Sequence, residues 1–150
     1  MKILIVYYSK TGNTRIIATE LAKKFKADID EITDKKKKGI FGLIWACRQA
    51  MNKKSSEIIY SKNPKSYDLV ILGGPVWAWN LIPPLRKYLE ENKSLIKKFG
   101  FFLTHGGNYG KNIEQVIQIK KPIATMDIID KNVKLGNYKD KITAFVKKLK

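Results

Sequence analysis

The chain reads as an α/β domain: a five-stranded parallel sheet of order 2-1-3-4-5 between two layers of helices. Three observations predict it. Short apolar runs of strand length alternate with segments of helical periodicity along the chain. The first run, Lys2–Tyr8, is nearly unbroken in Ile, Leu, Val and Tyr, the pattern of a strand covered on both faces. The 150 residues suit five such units in one domain, residues 1–150, better than a longer two-half dinucleotide arrangement.

Each element has its own signal. Asn13–Lys26 places Ile16, Ile17, Leu21 and Phe25 at helical spacing. Ala27–Thr33 sets Ile29 and Ile32 among Asp28, Asp30 and Glu31, which predicts a short edge strand. Gly39–Asn52 carries Ile40, Ile44, Cys47 and Met51 as one helical stripe, with Phe41 and Trp45 beside it. Tyr67–Gly73 is a second buried strand. Ile82–Glu91 opens with Pro83 and Pro84, which suit a first helical turn. Gly100–Thr104 is a third apolar strand, Tyr109–Gln118 a helix, Pro122–Ile129 a last strand and Asn137–Leu149 a closing amphipathic helix.

Composition narrows the function classes. The hydrophobic fraction of 44% is that of an ordinary globular protein. No apolar run approaches the ~18 residues of a membrane span, and the N-terminal run is too short for a secretory signal. A lone cysteine, Cys47, cannot form an internal disulfide or a cysteine-rich metal centre. These features predict a cytoplasmic protein without a metal. The charge stands out: 30 Lys and Arg against 13 Asp and Glu, a formal +17. The excess is shared, with 15 basic and 7 acidic residues up to position 75 and 15 and 6 beyond it. Apart from the cluster Lys35–Lys38, it is a solvated basic surface that would favour acidic partners.

In such a sheet, ligands bind beyond the carboxyl ends of the strands, where the strand order reverses. Three unusual loops leave strands on that side. The first is Ser9-Lys10-Thr11-Gly12-Asn13-Thr14. It reads either as a turn with an N-cap or as a phosphate cradle. An N-cap needs one hydroxyl or amide side chain, whereas this loop offers several, plus a glycine that permits close backbone approach. The second is Gly73-Gly74-Pro75-Val76-Trp77-Ala78-Trp79-Asn80. Its Gly-Gly-Pro predicts a break in the chain. Two tryptophans beside a cleft call for a flat aromatic cover, with one of them packing under the following helix. The third is Thr104-His105-Gly106-Gly107-Asn108-Tyr109-Gly110. Gly106–Lys111 is one residue short of a nucleotide P-loop and lacks its Ser/Thr. His105, the sole histidine, has no evident carboxylate partner in the sequence and reads as structural.

The stretch "YSKTGNT" resembles the phosphate loop of the flavodoxins, Ser/Thr-x-Thr-Gly-Asn/Gln-Thr, at every fixed position. The resemblance implies that Ser9, Thr11, Gly12, Asn13 and Thr14 hold the 5′-phosphate of FMN, with Lys10 at a variable position of the same loop. It implies that Pro75, Val76, Trp77, Ala78 and Trp79 wrap the isoalloxazine ring, a backbone carbonyl near the Trp77–Ala78 peptide facing N5. It implies that Thr104, His105, Gly106, Gly107, Tyr109 and Gly110 line the ring's pyrimidine edge, with Tyr109 available to stack. Gly39–Lys54 is similar to a segment of one branch of small flavodoxin-like proteins and reads as a rim or partner surface or as a crossover helix.

The expected function is one-electron transfer by bound FMN between redox partners. The basic surface points to acidic ones, such as a ferredoxin or a reductase. Two alternatives stay open: a small NAD(P)H-dependent FMN or quinone reductase, and a basic nucleic-acid or acidic-surface binding module on the same scaffold. The chain shows no nicotinamide motif and no basic face interleaved with aromatics.

Overall fold

The computed structural model describes residues 1–34 and 57–150. The helix expected over Gly39–Asn52, the Lys35–Lys38 cluster, Trp45 and Cys47 lie outside the described residues. The elements run β1 (Ile3–Tyr7), α1 (Asn13–Phe25), β2 (Asp28–Glu31), β3 (Thr33–Asp34), β4 (Ile58–Ile59), a 3₁₀ turn (Pro64–Ser66), β5 (Leu69–Pro75), α2 (Pro83–Asn92), β6 (Lys98–His105), α3 (Asn112–Ile119), β7 (Ala124–Ile129), α4 (Asp130–Leu135) and α5 (Lys139–Leu149).

Five strands form one parallel sheet of order β2-β1-β5-β6-β7, the 2-1-3-4-5 arrangement of the main strands. Every residue of β1 is buried, which is why its sequence shows no alternation. Leu4, Val6 and Tyr8 face one core with Leu85, Tyr88 and Leu89 of α2 and Val116 of α3. Ile3, Ile5 and Tyr7 face the other, with Ile17 and Leu21 of α1, Val133 of α4, and Ile142 and Phe145 of α5. One layer of side chains on each face is the physical content of the three-layer sandwich.

The edge departs from simple alternation. Ile29 is 38% exposed while Asp30 is buried at 7%. The Asp30 carboxylate accepts from Ser61 N (2.9 Å), Ser61 Oγ (2.9 Å) and Lys62 N (2.7 Å), so three donors offset its desolvation. It fastens the chain after β4 to the sheet edge. β3 and β4 form a separate two-stranded antiparallel ribbon that hydropathy gave no hint of, since each strand has only two residues. Hydropathy also passed over α4, a six-residue helix between β7 and α5.

The Gly73-Gly74-Pro75 stretch corrects an expectation. It does not break the strand; it forms the last three residues of β5, paired with Phe102, Leu103 and Thr104 of β6. The glycines are there for packing. A Cβ on Gly73 would collide with the Phe102 ring, and one on Gly74 with the Leu85 side chain. Gly73→Ala is therefore expected to destabilise the fold by about 1–3 kcal/mol through overpacking. It should lower the urea midpoint at constant slope. An unchanged midpoint would mean that Phe102 has room to move.

Candidate functional site

β1, β5 and β6 are neighbours and run parallel, so the chain leaves all three at the same edge of the sheet. Backbone bonds extend the ladders into the loops: Tyr8 N donates to Gly73 O (3.0 Å) and Val76 N to Thr104 O (3.0 Å). The reversal of strand order falls between β1 and β5, where the first two loops meet.

The first loop holds more donors than its one cap uses. α1 begins at Asn13 behind Gly12, whose φ of +99° is a conformation glycine alone adopts freely, and the N-cap position itself carries no side chain. Ser9 Oγ accepts from Gly12 N (3.2 Å) and Arg15 N (3.3 Å), drawing the loop into a ring. Its hydroxyl proton remains available. The amides of Lys10, Thr11, Asn13 and Thr14 find no acceptor among the described residues. The first turn of α1 holds no acidic side chain, so the positive end of its dipole is uncompensated there. Thr14 lies deeper: its buried hydroxyl bonds that of Thr104 at 2.8 Å, tying α1 to the end of β6.

The second loop is a tight turn. Asn80 N donates to Trp77 O (3.0 Å) across Ala78 and Trp79, whose φ values of +47° and +60° give two successive left-handed residues, as a type I′ turn requires. Two non-glycine residues there store strain. The turn's three carbonyls are already engaged: Trp77 O by Asn80 N, Ala78 O by Asn80 Nδ2 (2.7 Å) and Trp79 O by Lys111 N (3.1 Å). Neither tryptophan packs under the following helix, contrary to the sequence expectation. Trp77 is 38% and Trp79 63% exposed, because the turn closes before α2 begins and Leu81 and Ile82 fill the core instead. Trp77 meets the edge of Tyr8 (5.6 Å between centroids), and the Lys10 ammonium lies 5.3 Å from the Trp77 ring centre. Tyr8 in turn donates to Asp34 (2.6 Å); burial and this carboxylate raise its phenol well above the ordinary range.

In the third loop, Gly106, Gly107 and Gly110 are exposed and Tyr109 is half-buried against the core. His105 is buried and has the carboxylate partner that the sequence did not reveal: Nε2 lies 3.1 Å from Asp127 Oδ2, while Nδ1 accepts from Gly107 N at 3.1 Å. Asp127 sits 22 residues away on β7, so only the sheet register joins them. Sequence reasoning also missed the links between the second and third loops. Gln115 accepts from Leu81 N (2.7 Å) and donates to Asn80 Oδ1 (2.8 Å), and Gly110 lies hard against the Trp79 backbone. The structure thus brings every sequence-selected residue, from Ser9 to Gly110, to one rim. Among the described residues, no group of three His, Cys, Asp or Glu side chains gathers to hold a metal, and no helix is long and apolar enough to cross a membrane.

A family model described as flavodoxin matches residues 2–149. None of the curated proteins matches the chain. Among solved structures, a flavoprotein in complex with FMN from Lactobacillus acidophilus is similar at a TM-score of 0.69 and 23% identity, covering 89% of this chain and 97% of that one. A flavodoxin from the domain Archaea has a TM-score of 0.54 and 17% identity, with 99% of both chains covered. Rubredoxin oxygen:oxidoreductase from Desulfovibrio gigas has a TM-score of 0.53 and 19% identity, with 99% of this chain matching 37% of that one. At these identities the three structures establish a shared fold.

The Thr14–Thr104 bond is testable by a mutant cycle. Thr14→Val or Thr104→Val alone leaves a buried hydroxyl unpaired and should each cost about 1–3 kcal/mol. The double variant should cost less than the two together, and additive losses in urea unfolding would show that the hydroxyls do not interact.

Proposed function

The chain belongs to the flavodoxin family, and on that premise we propose that it holds FMN in the three loops and carries one electron at a time between redox partners in the cytoplasm. The observation that carries this reading is the Ser9–Thr14 loop: four backbone amides without an acceptor among the described residues and the Ser9 and Thr11 hydroxyls around Gly12, with no acidic side chain in the first turn of α1. Such a donor set fits a dianionic phosphate and nothing cationic. The two exposed tryptophans supply apolar faces that a flat ring would cover.

When bound, FMN supplies the electron chemistry. The protein's part is to bind, orient and tune. Ser9, Thr11, Asn13 and the first-turn amides fix the phosphate end. Thr14, locked to Thr104, sets the distance between that end and the third loop. Trp77 and Trp79 shield the ring from water. The Gly106, Asn108 and Tyr109 amides, which have no acceptor among the described residues, serve the polar edge, while Gly107 N is held by His105 and Gly110 N by Asn108. For a carbonyl of the Trp77–Ala78–Trp79 turn to accept a proton-bearing nitrogen, it must share or release its present donor, and the left-handed strain there lowers the cost of that change.

The +17 charge supports an acidic redox partner, and it also raises the affinity of a flavin for a second electron. One positive charge ~10 Å away in water-like dielectric is worth ~0.4 kcal/mol, or ~20 mV for one electron.

Three outcomes follow. Protein purified without added flavin should show bands near ~450 nm that leave with FMN on denaturation; a colourless protein that does not quench FMN would overturn the proposal. Thr11→Ala should weaken FMN binding by roughly 2- to 10-fold, the range of one hydrogen bond, and leave riboflavin binding unmoved. The lower of the two potentials should fall by tens of mV, on the order of several screened charges, between low and high salt. An unmoved potential would remove the surface charge from the account. NADPH oxidation with a quinone and no added reductase would assign a reductase instead of a carrier.

A further inference from the structure

We propose that His105 is a proton-sensitive positioning residue: neutral, it holds the Gly106–Gly110 loop through Nδ1, and protonated, it releases the loop. The proposal rests on the flavin reading above only for its ligand. His105 is 4% exposed at the end of β6. The Gly107 N–H points at Nδ1 at 3.1 Å, so Nδ1 carries no proton. The ring proton is then on Nε2, donated to Asp127 Oδ2 at 3.1 Å.

Asp127 is also held by Lys141 of α5, whose Nζ reaches the same Oδ2 (3.2 Å) and the Asp127 carbonyl (2.8 Å). Burial pushes the Asp127 carboxyl up, but the His105 and Lys141 hydrogen bonds outweigh it and leave the carboxyl below its ordinary range. It therefore stays charged at neutral and mildly acidic pH. The groups facing His105 are Asp127 from β7, Lys141 from α5 on the same carboxylate oxygen, and the Tyr109 ring edge at 5.4 Å from the loop itself.

A second ring proton would sit on Nδ1 and face the Gly107 N–H, donor against donor. The bond is lost, and it is the only anchor that the Gly107 amide has among the described residues. Gly107, at φ +151°, has no side chain to hold it otherwise. Protonation of Nδ1 thus frees the loop assigned to the flavin's polar edge, and the loop-ordering contribution is present while the imidazole is neutral and lost when it is protonated.

The test uses the full chain. Without FMN, the ¹⁵N–¹H resonance of Gly107 should move in step with protonation of the His105 ring as pH is lowered, and its solvent exchange should quicken once the ring is protonated. With FMN, affinity read by fluorescence quenching should weaken about three- to ten-fold from pH 8 to pH 5.5, the range of one hydrogen bond. His105→Asn places a non-titrating oxygen acceptor near the Nδ1 position and should flatten that pH dependence. His105→Gln keeps a donor toward Asp127 without an acceptor for Gly107, and should bind FMN weakly at every pH. Titration of the FMN phosphate acts on all three proteins alike, so the difference between them belongs to His105. A Gly107 resonance indifferent to His105, or a His105→Asn protein as pH-dependent as the parent, overturns the proposal. Failure of FMN to bind at any pH, with Gly107 still tracking His105, would sink the flavin reading and leave the switch standing.

Discussion

The site depends on the parallel pairing of β1 with β5 and of β5 with β6. Parallel strands release their chains at the same edge, so three loops far apart in sequence must emerge side by side. The price is a sheet with no solvated face. Both sides need a complete layer of helices, and the two cores supply it. Close approach is part of the same constraint. Without glycine at 73 and 74, the Phe102 ring and Leu85 could not lie against β5 just below the loops.

Side-chain bonds then register the loops against each other. Thr14 to Thr104 joins the first to the third. Lys111, Gln115 and Asn80 join the third to the second. Tyr8, Trp77 and Lys10 join the second to the first by ring contacts. A loop fixed at one point swings, whereas these three are each fixed at two, which is the pre-organisation a tight ligand site needs. What stays open is equally specific: backbone amides in the first loop, tryptophan faces in the second and the Gly106, Asn108 and Tyr109 amides in the third. Phosphate, ring and polar edge make those three demands in that order.

Surface charge works on a longer scale. Several acidic side chains are spent on internal tasks, Asp30 on Ser61 and Lys62, Asp34 on Tyr8, Asp127 on His105 and Lys141. That leaves a strongly basic exterior, which steers acidic molecules toward the protein in a salt-dependent way.

The fold class and the first loop were legible in the sequence because both rest on local signals. A doubly covered strand shows as an unbroken apolar run, as in Ile3–Tyr7, and the strand-to-helix loop shows as hydroxyls around a glycine, as in Ser9–Thr14, where Gly12 adopts φ +99°. What the sequence could not disclose was non-local. Gly73 and Gly74 looked like a chain break, and only the distance to Phe102 and Leu85 showed them to be packing glycines within a strand. His105 looked solitary until the β6–β7 register set Asp127 beside it. The tryptophans looked half core, half surface, until the left-handed turn at Ala78–Trp79 put both outside. Residue type and periodicity determine which elements form, since those preferences act over a few residues. Which side chains meet, and so which can position a loop or hold a proton, was decided by strand pairing and packing across the whole chain.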